Sequence, residues 1–504
     1  MKHIFMRREI RLRVVLVWLA LCWVGFGFTQ EHWGLTVGNY AGINGVSLNP
    51  ASLVNFHQFF DVRLLSAGQT VENNHLYIGA DEYRVTDLFS RSPVLPQYEE
   101  TYPSGYTVKL SGFLHEQRGK AKSLFEGTKV EGPGILLVNG NMGYGFSSSA
   151  RMMVSVKDLP EDVANFAYIG LGYEPQHGID YRSPGFGGTG MAWNEYAFSL
   201  SRVFEDRHYR RFSAGITVKL LLGASGFYAH FENLDYQMID RNTLDIHAMT
   251  TQVGIALPLD YERNAFPDPS GLFKGSGGAF DLGFAFLYKD GNYYRRRARR
   301  LCEQPYTTYL FRLGVSLLDI GFVRFRKNTM VHRYENITYL WNNISSYQYQ
   351  NVNYLMNDLS GRFYGVPGKS YAGSSMTIYT PAAASLQLDY SFEYDLFLGA
   401  VWVHPLVFNH QTVRRPAQLA LIPRYETTNV GVALPLSLYE YRYPRVGLSV
   451  RAYMLTIGTE KLGAFTGLFD FSGMDIYFSL KFSLDKGFCL ESSKGFECGD
   501  IRFK

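Results

Sequence analysis

The chain has 504 residues, 46% of them apolar, which excludes a globally disordered protein and leaves room for several soluble domains or for one large closed sheet. Five of the 49 basic and one of the 45 acidic residues fall in residues 1–30, so the remainder carries no net charge and lacks the overall footprint of a nucleic-acid binder. Aromatic residues reach 16%, led by 37 Phe and 36 Tyr beside 50 Gly, a mixture suited to aromatic girdles and tight hairpins.

Lys2, Arg7, Arg8, Arg11 and Arg13 precede the apolar run "VVLVWLALCWVGFGF" (14–28). A basic head followed by a core too short to span a bilayer predicts a cleaved signal peptide over 1–30. An N-terminal segment, 31–54, then leads into predicted strands near 55–68, 134–139 and 144–156, with an insertion at 80–133. "DLPEDVANFAYIG" (158–170) predicts a short helix with Asp158 near its cap and Pro160 in its first turn, inside an insertion at 158–192. "YAFSLSRVF" and "FSAGITVKLLLG" alternate on either side of "EDRHYRR" (205–211) and read as a hairpin.

The alternation is cleanest in "AFDLGFAFLYKDG" (279–291), where Phe280, Leu282, Phe284, Phe286 and Tyr288 share one face of a strand and Asp281, Gly283, Ala285 and Lys289 the other. Further strands are predicted near 245–258, 310–325, 385–393, 395–404, 415–423, 427–440, 445–452, 461–470 and 475–484, with a third insertion at 326–380. The near-repeat "VGIALPLDYE" and "VGVALPLSLYE" carries Pro258 and Pro435 at matching places, and a proline there marks a strand end or bulge.

None of these segments is a helix long enough to cross a membrane, whereas nine to eleven residues suit a tilted transmembrane strand. The polar faces are rich in Gly, Ser and Ala with isolated charges, as a lumen or packed interior would be. The expected architecture is therefore all-β: a single transmembrane antiparallel barrel of about 14 strands, within a range of 12 to 16, over residues 55–484. The charges Lys219, Asp281, Asp389, Glu393, Asp475 and Lys481 are its candidate lumen residues; Asp281 and Lys481 suit an ion or substrate path, beside the plainer reading that isolated lumen charges pair with one another across the barrel.

Motifs for chemistry fail on their context. "GFGGTG" places Gly185, Gly187 and Gly190 at dinucleotide spacing, but a strand follows where a helix is needed, so a flexible loop is expected. "GRFYGVPGKS" has Phe363 where a phosphate loop needs its first glycine, and "HEQRG" has Gly119 where a zinc helix needs its second histidine. No catalytic, metal or cofactor site is assigned, and an enzyme is not expected. "YYRRRARR" (293–300) offers Arg295, Arg296, Arg297, Arg299 and Arg300 as candidate contacts to lipid phosphates on a rim, beside the plainer reading of a solvated loop. Export places the chain in an oxidising compartment, so Cys489 and Cys498 are expected to form a disulfide in a tail at 485–504.

The segment "NYAGINGVSLNPASLVNFHQFFDVRLLSAG" (39–68), with "AFDLGFAFLY" and the "LLDIG" of "FRLGVSLLDIGFVRF" (311–325), resembles an uncharacterised Bacteroidetes-type outer-membrane barrel family. That family is distantly similar to FadL-type transporters of hydrophobic compounds and to barrels linked to type IX secretion. The resemblance implies an outer-membrane protein with Asn49 and Pro50 in or near the periplasmic mouth. It implies contact with outer-membrane lipid and passage or binding of a small hydrophobic ligand, whereas the large polar insertions suggest the alternative, a structural or secretion-associated scaffold that binds an envelope protein partner. One departure is that some twenty residues follow the last strong strand, which stops near Leu484.

Overall fold

The computed structural model describes residues 32–82, 96–115, 119–289, 306–344, 349–392 and 394–486. The signal-peptide region and the tail with Cys489 and Cys498 lie outside the described residues, as does the expected disulfide.

Alternating side chains produce long strands that pair with their sequence neighbours. Five long strands open the wall: β1 (Gln58–Asn73), β2 (Lys122–Asn139), β3 (Met142–Leu159), β4 (Phe186–Asp206) and β5 (Arg210–Met238). β6 runs in two pieces, Leu244–Ala256 and Gly275–Lys289, paired with the upper and lower halves of β5. β7 is likewise split into Tyr309–Phe325 and Thr329–Trp341, and β8 into Tyr371–Gly373, Met376–Tyr379 and Ala383–Ser391. β9 (Leu396–Pro405) and β10 (Gln418–Glu426) follow, then β11 (Val430–Ala433 with Leu436–Tyr439), β12 (Tyr443–Val446 with Leu448–Ala452), β13 (Leu455–Thr459) and β14 (Gly473–Asp485). β14 returns to β1 in antiparallel register, with Arg63 opposite Lys481 and Thr70 opposite Asp475, so the fourteen strands close without a free edge.

Pleating sends neighbouring side chains to opposite sides of this wall. Phe284 is 50% exposed and Ala285 is 3% exposed, so the aromatic face of the 279–291 segment points outward and the Asp281 to Lys289 face points inward. The outward face continues around the barrel through Ile216, Val218, Leu220, Leu313, Val315, Leu317, Leu386, Leu388, Leu419 and Leu421. From Phe280 to Tyr288 this belt rises roughly 20 Å for strands tilted about 40°. Exposed Tyr144, Tyr288, Tyr390, Tyr425 and Tyr453 mark its lower edge, beside the short turns.

The two ends of the barrel differ. Both described chain ends and the turns at 140–141, 207–209, 427–429 and 453–454 lie at the lower end, whereas the strand ends Asn73, Leu159, Trp341, Pro405 and Thr459, from which the longer connections leave, lie at the upper end. The expected insertions are therefore redrawn. Residues 122–133 belong to β2, 186–192 to β4, and 329–341 with 371–379 to the upper wall. Gly187 and Gly190 do not form a flexible loop: β4 starts at Phe186 with Gly185 in the bend before it, Gly190 leaves room for the ring of Phe227, and Phe186 stacks on Phe231 at 4.7 Å. The expected strand at 461–470 is instead a short helix, Leu462–Thr466, ended by Gly467 in the left-handed region at φ 69°. The expected helix after Asp158 spans Glu161–Ile169, and the 342–370 connection holds a second helix, Val352–Tyr364.

Candidate functional site in the barrel lumen

The lumen is filled from below by residues 32–56. This segment folds as three short turns, Trp33–Thr36, Gly42–Ser47 and Pro50–Asn55, before the chain enters β1. Asn49 caps the third turn: its Oδ1 accepts from the Ala51 N–H at 2.9 Å, while its Nδ2 donates to the Phe284 carbonyl at 3.1 Å and to Gln387 Oε1 at 2.8 Å. The wall makes room for this contact with glycine. A Cβ on Gly283 would lie 2.1 Å from Asn49 Oδ1, and one on Gly215 would lie 2.5 Å from the Pro50 carbonyl carbon. Asn49 and Pro50 thus sit inside the barrel, against the inner faces of β5 and β6.

Short helical turns leave carbonyl oxygens without intrahelical partners, and the wall satisfies them. Ser316 Oγ donates to Leu48 O at 2.7 Å, Arg211 and Lys486 donate to Val54 O at 3.1 and 3.0 Å, and Lys481 Nζ donates to Ala41 O at 3.0 Å. Ile43, Val46, Leu53, Val54 and Phe56 pack with Leu136, Val138 and Val203 of the wall.

Next to this plug lies a buried layer of charge. Asp319 accepts two hydrogen bonds from Arg151, both at 3.0 Å, one from Lys219 at 2.5 Å and another from Arg415. Lys219 also meets Asp281 at 2.7 Å, and Arg151 meets Glu195 at 3.1 Å while lying over the Trp193 ring. The layer holds three cations and three carboxylates, so its formal charges cancel. Asp319 reaches its position through a bulge: Leu318 and Asp319 together oppose Asp281, Asp319 adopts φ 50°, and its N–H donates to Asp281 Oδ1 at 2.6 Å.

Arg415 comes from the 406–417 connection, which folds inward over the barrel. Thr189 donates to His410 O, the Arg414 N–H donates to Ser155 Oγ and the Val413 N–H donates to Tyr379 O, so this loop bridges β3, β4 and β8.

Two residues from four of these charges, on the same inner face of a strand, stands an apolar side chain: Met153 after Arg151, Trp193 before Glu195, Leu221 after Lys219 and Ala279 before Asp281, and in the loop Val413 precedes Arg415 at the same interval. With Met191, Tyr228, Val323, Phe325, Met376 and Ile378 they form an apolar layer above the charges.

The other candidate lumen charges enter separate networks. Asp389 meets Arg424 at 2.9 Å, Arg312 at 2.9 Å and the Tyr309 hydroxyl at 2.7 Å. Lys481 pairs with Asp61 at 3.0 Å. Asp475 accepts from Thr70 and from the Glu460 N–H at 2.9 Å, while Glu460 accepts from the Trp33 N–H at 2.9 Å, which ties the plug to β13 and β14. Glu393 and Arg295, Arg296, Arg297, Arg299 and Arg300 lie outside the described residues. Arg151, Glu195, Asp319 and Arg415 were absent from the sequence candidates. The adjacent apolar pair Leu317 and Leu318, which breaks the period of two just before Asp319, was the available signal for that bulge.

Residues 64–460 match the profile of a family of unknown function, DUF5723, and the chain belongs to that family. A search of curated proteins finds no match. Among solved structures, the chain is similar to a Pseudomonas aeruginosa FadL homologue at 12% identity, covering 91% of this chain and 98% of that one with a TM-score of 0.41. It is similar to the Pseudomonas putida toluene transporter TodX at 9% identity, covering 90% and 96% with a TM-score of 0.30. The translocator domain of the autotransporter NalP from Neisseria meningitidis is 8% identical, with 87% and 93% covered and a TM-score of 0.30.

Proposed function

We propose that this member of the DUF5723 family is an outer-membrane β-barrel that passes a small hydrophobic compound. A closed barrel with an outward apolar belt and an aromatic lower edge has the exterior that lipid requires, and its long connections then face outward from the cell. The observation that carries the ligand class is the apolar layer of the lumen. A water-filled pore needs a polar lining at every level, whereas here Met153, Met191, Trp193, Leu221, Val323 and Phe325 meet across the barrel. An apolar compound that displaces some of these contacts gains burial of its own surface at about 25 cal/mol per Å², and the thioether side chains can repack around it.

Below that layer the charged residues and the plug close the lumen, so passage requires both to shift. Reconstituted liposomes loaded with a fluorescent reporter of aromatic solvents provide the test, with toluene as the probe. Uptake well above protein-free vesicles, without a matching ion conductance, is expected. Ion conductance without toluene uptake would overturn the reading, and a stoichiometric envelope protein retained through purification, with no uptake, would favour the scaffold instead.

A further inference from the structure

β6, β7 and β8 are all interrupted at one level of the wall. β6 breaks after Ala256, β7 after Phe325 and β8 at 374–375, and the register places these breaks side by side, with Ala256 opposite Thr329 and Phe325 opposite Met376. The breaks are built into one another. Lys274 O accepts the N–H groups of Arg326 and Lys327, both at 3.1 Å, and Asn328, at φ 48°, donates through Nδ2 to Leu257 O at 2.8 Å and Leu259 O at 2.7 Å.

This level is also where the apolar belt ends and positive charge begins. Val323 and Phe325 are fully buried on the inner face, so Arg324 between them points outward, and the next outward residue below it is the exposed Phe322. Arg326 and Lys327 are exposed in the adjoining turn. Among the described residues none of these three cations has an ion pair, whereas nearby Lys274 is paired with Asp268 and Arg333 with Glu335. A cavity of about 380 Å³ opens at the same break, its polar lining Arg324, Arg333, Gln252, Ser375, Thr377 and Gln411 backed by Tyr228 and Met376 of the apolar layer. The 257–274 excursion presents exposed Phe266 and Leu272 beside it.

We propose that this break is a docking site for a phosphorylated lipid headgroup of the outer leaflet, a proposal that rests on the membrane reading above. Guanidinium and ammonium groups at the upper edge of an apolar belt meet phosphate oxygens at their natural depth, and the hydroxyl and amide groups of the cavity supply further donors. Phe266 and Leu272 would rest on the acyl chains next to the headgroup.

The test uses the full-length barrel purified in an uncharged detergent. Native mass spectrometry titrates diphosphoryl lipid A, the same glycolipid with its phosphates removed, and inorganic phosphate. Each cation near a phosphate surface is worth roughly fivefold in affinity, so the triple variant Arg324→Gln, Arg326→Gln, Lys327→Gln should bind the diphosphoryl lipid about a hundredfold more weakly. An Arg207→Gln, Arg210→Gln variant at the lower rim should bind as wild type does. Heat-modifiable migration of unboiled samples reports that each variant is a closed barrel. Unchanged affinity in the triple variant, equal binding of the dephosphorylated lipid, or inorganic phosphate binding as tightly as the lipid would each overturn the proposal. A wild-type protein that shows neither heat-modifiable migration nor micelle insertion would instead sink the membrane reading itself.

Discussion

Asp319→Asn isolates the contribution of the charged layer with little change of shape. The carboxylate receives hydrogen bonds from Arg151, Lys219 and Arg415, and its side chain is 5% exposed. Neutralising it leaves three buried cations against Glu195 and Asp281, an excess of one positive charge. Removing one partner of a buried ionic group costs about 3–5 kcal/mol, because the remaining charge stays desolvated. That is a large share of the roughly 5–15 kcal/mol that separates folded from unfolded states in typical proteins. Adding Arg415→Met restores neutrality and replaces the guanidinium stem with an apolar one, so the double variant should recover most of the loss. Urea titration of the detergent-solubilised barrel, read by the heat-modifiable band, measures both. A single variant as stable as wild type, or a double variant less stable than the single, would refute the claim that charge balance in this layer holds the lumen together.

Three further outcomes are expected. Phe284→Arg places a cation midway between Phe280 and Tyr288 on the outward belt and should lower folded barrel in the membrane fraction, at a cost of about 2–4 kcal/mol. Ala285→Arg should also fail, for a different reason: Ala285 packs with Ala51, Leu287 and Tyr309, so deleting residues 32–54 should rescue Ala285→Arg and leave Phe284→Arg impaired. Gly283→Val drives a methyl-bearing carbon into Asn49 and should dislodge the plug at about 1–3 kcal/mol, detected as faster maleimide labelling of a Ser52→Cys reporter, while unchanged labelling would contradict the close contact. Leu221→Asn puts an amide into the apolar layer and should reduce toluene uptake in liposomes without changing assembly; undiminished uptake would count against that layer as the path.

The exterior of this barrel was legible because alternation is a local property. In "AFDLGFAFLYKDG" and "DIYFSLKFSL" each residue's side follows from its neighbour, and the lipid-facing set has to be apolar throughout. Where the wall rises above the belt, that constraint disappears. "TMVHRYENITYLW" (329–341) has no clean period because the Val352–Tyr364 helix covers Tyr334 through Phe363 and Tyr364, so from sequence alone it looks like part of an insertion. The run "KLGAFTGLFD" failed in the opposite way, since its apolar residues sit at both strand and helix spacing and Gly467 decides for a helical end.

The interior was hidden for a further reason: its pattern is written across the chain. Asp319 is an isolated acid in an apolar strand until Arg151, Lys219 and Arg415 arrive from positions 168, 100 and 96 residues away. Asn49 likewise finds Phe284 and Gln387 only after the barrel closes around it. Such contacts incur the loop-closure cost of the whole wall before they return any energy, so the plug and the charged layer can form only on a wall already near its final register. It follows that the wall must be able to exist, at least briefly, with an unfilled lumen. The glycines at 215 and 283, which leave the inner surface smooth where Asn49 and Pro50 dock, are then as much a condition for late insertion as for the final fit. A plug that enters last, and is held by hydrogen bonds to backbone carbonyls as well as by apolar packing, is also the element whose departure disturbs the wall least, which is the property that the proposed passage through this lumen requires.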